Sequence, residues 1–459
     1  MNDESNYTKI SNNVDLFLTG RFSDTYFDRS GWFNPAVLSL DLQKKFHALT
    51  LKDSGEIYIY NKNQGRYEPN GDKTLREIIK KVLDLNYRET YAKATIDDIT
   101  ASTYIERKNF QCPPYLIPVK NGLIDLRTSP QYKIQKHSPG YYIMSVLPVE
   151  YNPNAKCPKF EEFLVEILPD INDQVRIQEG FGNCLITSRE YMIIYMLYGE
   201  GANGKSTLLN VLSALLGEEN VSNVSLYDIA YGRWDSGNLY GKLANIHADI
   251  ELKELKNTGA IKILTGDDMA KGEKKYHNPF YFKNHAKPWF STNVMPYIYD
   301  DSDAFHRRWR IIEFSQKFLL GAEQTNTQMI KELTTPEELS GILNWALEGL
   351  RQLQSQKKFS YLKSVEERRE TWHAMSSPLK PFIRDCVGFD ESAYVTKEDF
   401  YQAYRRYCVV HHLPVMTKEK IGRILPKVLP GVGEIYKLIS GKQEYCWDGI
   451  YLLGENKNM

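Results

Sequence analysis

The sequence predicts an α/β protein built around a parallel sheet, and three observations predict it. Residues 191–198 (YMIIYMLY) are eight apolar or aromatic residues in a row. That is the pattern of a strand buried on both faces. A glycine-rich turn follows, and then residues 206–216 read as a helix with Gly217 placed to end it. Residues 243–249, 289–292 and 309–314 are further strand candidates, separated by helical text. Strands alternating with helices imply a parallel sheet.

Along the chain, the first forty-five residues carry little pattern. Residues 56–60, 61–65 and 66–69 read as strand, turn and strand. Residues 74–83 form a short amphipathic helix, capped by Asp72 or Thr74. The chain turns again at Asn121-Gly122, and the Pro/Asn-rich stretch 151–158 (YNPNAKCP) is a joint. Residues 159–186 read as helix, with Phe160, Phe163, Leu164 and Ile167 on one face. Beyond Phe314 the text is helical at 335–352 and 361–375, and Ser376-Ser-Pro378 is a second joint. In the tail, helices at 378–386, 397–409 and 417–425 precede strands at 433–439 and 444–453, joined by a turn at 440–443. Three helices and a hairpin in that order suit a winged helix-turn-helix. The expected units are residues 1–150, 151–187, 188–330, 331–375 and 376–459.

Composition bounds the function. Hydrophobic residues are 42% and charged residues 25% of 459, so the chain can bury cores and is not wholly disordered. Lys+Arg and Asp+Glu are 58 each, which excludes a globally basic nucleic-acid binder and leaves only local basic patches. No run of 18 apolar residues predicts a membrane span, and the polar, acidic N-terminus is not a signal peptide. The six cysteines are scattered without a CxxC pair, which argues against a zinc site and a disulfide framework. Reduced thiols and a cytoplasmic location are expected.

The strongest chemical signal is Gly199-Glu-Gly201-Ala202-Asn203-Gly204-Lys205-Ser206-Thr207, which fits G-x-x-x-x-G-K-[ST]. Its glycines let backbone N–H groups wrap phosphates, and the helix that follows points its positive end at them. Lys205 is expected to reach the β/γ-phosphates of ATP and Ser206 to ligate Mg²⁺. Such a site needs an acidic partner strand. Residues i and i+2 share a strand face, so Asp249 and Glu251 can both look into it. Alone, an acidic pair at a strand end is an ordinary solvated feature; the phosphate loop gives it the role. Asn293 ends the next strand, where a polar group can sit beside the γ-phosphate, though Asn there also suits a plain turn. Arg307 and Arg308 precede an apolar strand, as a solvated edge or as arginine fingers acting on a neighbour. Residues 272–283 read as a hairpin with Lys274, Lys275 and His277 at its tip among aromatics. That mixture suits the phosphates and bases of a single strand.

Phosphate loop, acidic strand, basic hairpin, strand-end Asn and Arg pair, in that order, resemble superfamily 3 helicases, the hexameric AAA+ DNA motors of small viruses and plasmids. The closer resemblance is to the helicase part of poxvirus-type and phage/plasmid primase–helicases. Residues 119–126 (VKNGLIDL), His137-Ser-Pro139, Thr265-Gly-Asp-Asp268 and residues 291–296 (STNVMP) add to it. The resemblance implies an AAA+ core preceded by an α+β accessory domain and a helical collar, and followed by the winged helix. It implies a ring-shaped, hexameric ATPase translocating on single-stranded DNA, using ATP and Mg²⁺. Asp249 and Glu251 would hold the metal and activate water, Asn293 sense the γ-phosphate, and Arg307 or Arg308 act in trans. Lys418, Lys420, Arg423 and Lys442 of the tail would touch duplex DNA, and a separate primase or polymerase is an implied partner. Asp97-Asp98 falls in a helix and does not suit primase metals, so priming by this chain is not expected. An ATP-switched origin-binding initiator is the competing reading. A small-molecule kinase ranks last, because it has no use for the hairpin, the Arg pair or the wing.

Overall fold

The structure is a computed structural model. It describes residues 23–453 except 233–234, 249, 251–254, 256, 274–278, 317–322, 377, 412, 414 and 440. Asp249, Glu251, Lys274, Lys275 and His277 therefore lie outside the described residues.

The N-terminal part alternates α1 (Pro35–Phe46), β1 (Leu49–Leu51), β2 (Ile57–Asn61), β3 (Arg66–Glu68), α2 (Gly71–Leu83), α3 (Glu89–Ser102) and β4 (Tyr104–Ile105). The sheet order is β3-β2-β1-β4, antiparallel except for the β1–β4 pair. Strand alternation divides β2 between two cores. Ile57 and Ile59 face the helices, while Tyr58 and Tyr60 join Tyr67 and Phe110 on the other side. The predicted caps Asp72 and Thr74 are not used: α2 starts at Gly71, three residues before the predicted start, after Asn70 in the left-handed region at φ 63°. A second, antiparallel sheet joins β5 (Leu116–Val119), β6 (Gly122–Asp125) and β7 (Lys133–Gln135).

The helix expected over 159–186 is two. α4 (Pro158–Ile167) ends at Leu168, Pro169 follows, and Asp170 caps α5 (Ile171–Cys184) by accepting from the Asn172 N–H at 2.9 Å. Next come β8 (Ile194–Tyr198), α6 (Lys205–Leu216), β9 (Val221–Ser222), α7 (Leu226–Tyr231), β10 (Ala244–His247) and α8 (Gly259–Leu264). The hairpin β11 (Ala270–Gly272) and β12 (Phe280–Phe282), then β13 (Lys287–Thr292), α9 (Asp303–His306) and β14 (Trp309–Glu313), complete the central unit. Its sheet runs β14-β8-β13-β10-β9, and every neighbouring pair is parallel. β8 is buried on both faces: Tyr195 and Leu197 enter one core, Ile194 and Met196 the other. From β8 the chain crosses to the far edge and returns to place β14 on β8's other side. β8 thus sits at a topological switch point, where α/β sheets bind ligands beyond the strands' carboxyl ends.

α10 (Glu323–Leu333), α11 (Pro336–Gln356) and α12 (Val365–Met375) follow. One core joins β5, β6, α4, α5, one face of the parallel sheet, α6 and α11. The segments expected as separate units at 1–150, 151–187 and 188–330 therefore share buried residues from Ile117 to Phe359. The tail has its own core and contains α13 (Leu379–Cys386), β15 (Val387–Thr396), α14 (Lys397–Val410), α15 (Lys418–Val428), β16 (Glu434–Ile439) and β17 (Lys442–Leu452). Its antiparallel sheet runs β15-β17-β16, so the predicted hairpin gains a third strand. Thr417 caps α15 through the Lys420 N–H at 3.3 Å.

Candidate nucleotide and nucleic-acid site

The loop Gly199–Thr207 leaves the carboxyl end of β8 and enters α6. Its shape depends on glycine at both ends. A Cβ on Gly199 would lie 2.4 Å from the Phe314 carbonyl oxygen, and one on Gly204 would lie 2.4 Å from the Ile167 side chain. Gly204 also has φ +85°, which only glycine adopts without strain, and it caps α6 with no side-chain acceptor. The first-turn N–H groups thus face outward from an uncapped helix end, which attracts anions.

Lys205 lies inside this loop and is 5% exposed. Its ammonium donates to the carbonyl oxygens of Gly199 (2.7 Å) and Glu200 (3.1 Å), and to Oδ1 of Asn203 (2.8 Å) and Asn293 (3.2 Å). Asn203 Nδ2 donates in turn to the Phe314 carbonyl at 3.1 Å. Asn293 directly follows β13 and is exposed, so the fold brings the loop lysine and the strand-end Asn together. Ser206 is exposed at the head of α6, Thr207 is buried beneath, and Gly201 and Ala202 form the exposed crest, with Ala202 at φ 57°. Between the undescribed Asp249 and Glu251, the Ile250 N–H donates to the Ser291 carbonyl at 3.1 Å, next to this strand end.

The Arg pair is split by its surroundings. Arg308 is half-buried and locked: Nε donates to Thr265 Oγ1 at 2.8 Å, Nη2 to the Lys262 carbonyl at 3.3 Å, and Nη1 to the Ala304 carbonyl. Burial, then the neighbouring Arg307 charge, pulls its pKa below the usual arginine value. Arg307 is exposed, and its guanidinium has no partner among the described residues. Both sit at the amino end of the sheet, where the Arg308 carbonyl accepts from the Ile194 N–H at 2.7 Å. Gly199 lies five residues along β8 from Ile194, about 16 Å at 3.3 Å per residue. The pair and the phosphate loop of one chain are at opposite ends of the strand.

Of the nucleic-acid candidates, Lys418 pairs with Glu398 and lies over the Tyr401 ring, 5.1 Å from its centroid. Lys420, Arg423 and Lys442 are exposed. β11 and β12 form the predicted hairpin's base, its tip being outside the described residues. Arg107 packs 4.2 Å from the Phe280 centroid of that base while its guanidinium holds Asp53 bidentately at 2.7 and 2.9 Å.

Other groups were invisible to sequence reasoning because most of their partners are distant in the chain. Asp301 accepts from His306 Nε2 at 3.2 Å and His373 Nε2 at 2.8 Å, with Arg369 Nε at 3.4 Å, tying α12 to the turn that carries Arg307. Lys380 of α13 donates to the Tyr198 hydroxyl at 3.4 Å, so the tail touches the end of the phosphate-loop strand. Lys287 is fully buried, donates to the Ile186 and Ser188 carbonyls at 2.5 and 2.9 Å, and is pulled down to about 8 by burial.

Residues 42–169 match the family described as D5 N terminal like, and residues 197–308 match one described as a family of unknown function (DUF5906). A protein of Acanthamoeba polyphaga mimivirus named as a helicase is 27% identical over 269 residues, which are 56% of this chain. The matched part is 27% of that protein, so the chain spans about a quarter of its length. Two solved apo structures of the NrS-1 C-terminal region share 10% and 14% identity with this chain. They cover 89% and 90% of it and 97% and 99% of themselves, at TM-scores of 0.45 and 0.46. Among the described residues no helix is long and apolar enough to cross a membrane. With a D5 N-terminal-like segment ahead of a phosphate-loop unit, the chain resembles viral primase–helicases in their helicase part.

Proposed function

We propose that this chain is an ATP-dependent DNA helicase of the superfamily 3, AAA+ kind, assembling as a ring of six copies. The observation that carries the reading is Lys205, held inside the loop within reach of Asn293 at a switch point of a parallel sheet. A buried ammonium surrounded by four oxygens is poised to exchange those acceptors for phosphate oxygens. Asn293, released from Lys205, would orient the attacking water beside the γ-phosphate. The loop N–H groups and the α6 end supply further donors.

The donor set suits magnesium as well: the Ser206 hydroxyl is exposed at the helix head, as a metal ligand must be. Ser206 and Asp249 would hold the ion, whose charge offsets that developing on the phosphates. Asp249 or Glu251 would take the proton from the attacking water. About 16 Å separates the Arg pair from its own loop, which supports action on a neighbouring copy, with Arg307 the free member. The C-terminal unit serves as the winged helix and residues 272–283 as the strand-gripping hairpin. Forked duplex and a separate primase or polymerase are the expected partners.

Lys205→Ala tests the assignment. Hydrolysis is expected to vanish, and stability to fall by about 1–3 kcal/mol, since four oxygens lose their buried donor. Wild-type hydrolysis in the folded variant would refute the phosphate loop. A second reading, the ATP-switched initiator, gains support from Lys380 on Tyr198, a contact through which nucleotide could move the tail. Strand displacement separates the two.

A further inference from the structure

Three side chains of metal-binding type meet where the turn before α9 packs on α12. Asp301 lies in that turn, His306 ends α9, and His373 lies in the last turn of α12. One Asp301 oxygen, Oδ1, stands 3.2 Å from Nε2 of His306 and 2.8 Å from Nε2 of His373. A donor atom from each of the three lies within 4.8 Å of the other two. Neither Nε2 has another partner among the described residues. His306 is fully buried, His373 is half-exposed and Asp301 is exposed. The cluster therefore has a fixed inner wall and an outer side open to ions.

A tetrahedral ion with bonds of about 2.0–2.1 Å holds its donor atoms roughly 3.3–3.4 Å apart. The two separations at Oδ1 are already close to that edge, and a swing of the half-exposed His373 ring closes the third. Two imidazoles and a carboxylate suit zinc and its neighbours in the first transition row. Magnesium and calcium prefer oxygen and are poorly served. The competing cation is Arg369, whose Nε lies 3.4 Å from Oδ1. Arg369 keeps other acceptors when an ion takes Oδ1: the Asp301 carbonyl at 3.2 Å and the carboxylates of Asp303 and Glu366. Three carboxylates against one guanidinium also leave two negative charges beside the neutral rings, which a divalent ion balances.

We propose that Asp301, His306 and His373 bind one divalent transition-metal ion of the zinc class, with the fourth position open to water. No thiolate takes part, so the scattered cysteines do not bear on it. The ion cross-links the turn before α9 to α12. It thereby braces Arg307, which follows His306 directly. The site is separate from the phosphate loop and does not depend on the nucleotide reading.

Co²⁺ stands in for zinc and reports tetrahedral coordination by strong visible absorption bands. Titrated into the chelator-treated full chain without ATP, it is expected to give those bands, saturating at one ion per chain. Zn²⁺ is expected to abolish them, and a large excess of Mg²⁺ to leave them. In His373→Ala the affinity is expected to fall roughly 100-fold or more, at least the loss that a change behind the ligands can cause. Should that variant fail to fold, wild-type crystals grown with Zn²⁺ give the second readout, an anomalous peak between Asp301 Oδ1 and the two Nε2 atoms. Absent bands, displacement by Mg²⁺, binding undiminished in His373→Ala, or no peak would overturn the proposal.

Discussion

Arg307 and Arg308 are neighbours of one residue type with opposite circumstances. Arg308 ties α8 to α9 through three acceptors, while Arg307 points at none among the described residues. Their substitutions are therefore expected to separate. Arg308→Ala strands Thr265 and two carbonyls and lowers stability by about 1–3 kcal/mol. Arg307→Ala changes stability by less than about 0.5 kcal/mol and lowers ATP hydrolysis by roughly 10³-fold. Mixing Arg307→Ala with Lys205→Ala protein is expected to restore part of the activity, because some interfaces then hold an intact loop facing an intact finger. No recovery from two assembling variants would rule out action in trans. The sequence left this pair open for a physical reason. Two of the acceptors that immobilise Arg308 come from Lys262 and Thr265, far away in the chain, and no local pattern announces them. The shape of the Gly199–Thr207 loop was legible because its constraints are local: glycine where a Cβ would strike Phe314 or Ile167, and a lysine at the helix start.

At the scale of elements, α9 presents Arg307 and is anchored by the loop before it. Asp300 is held by Lys262 at 2.5 Å, by Ser302 and by Thr258. Burial alone would raise its pKa, but these hydrogen bonds outweigh burial and hold the carboxyl far below the usual range. The unfolded chain therefore binds the Asp300 proton at higher pH than the folded one. Its contribution is present above the unfolded value of about 3.9 and is lost as pH falls. Asp300→Asn is expected to be less stable than wild type at pH 7 and to lose less stability between pH 5 and 2, read by urea unfolding at each pH. Parallel losses in both proteins would contradict this. Strands and helices were legible where one periodicity ran unbroken, as in β8. The break between α4 and α5 was missed because the apolar face continues past Pro169. β15 was missed because Gly388, Asp390, Glu391 and Ser392 carry no alternation; pairing with β17 makes it a strand.

At the scale of the whole molecule, one core from Ile117 to Phe359 fuses the N-terminal β5–β6 segment, the two helices and the parallel sheet, so this body is expected to unfold as one unit. The basic hairpin extends from this body beside Arg107, and its tip is where ATP turnover is expected to meet DNA. Lys275→Ala and His277→Ala are expected to keep basal hydrolysis and lose its stimulation by DNA. For Lys275→Ala, the log–log salt slope of single-strand binding should flatten by about 0.7 for the lost phosphate contact. Unchanged slope and stimulation, read by titrating a fluorescent oligonucleotide at several salt concentrations, would place the hairpin outside the mechanism.

The central claim is that phosphate-loop chemistry drives strand separation. Unwinding of a forked duplex with 5′- and 3′-tailed variants, comparing wild type with Lys205→Ala, tests it most directly. Strand release by wild type that requires both ATP and Mg²⁺, prefers one tail and vanishes in Lys205→Ala is the predicted result. Active ATP hydrolysis without strand release from either fork, or release that survives in Lys205→Ala, would contradict it.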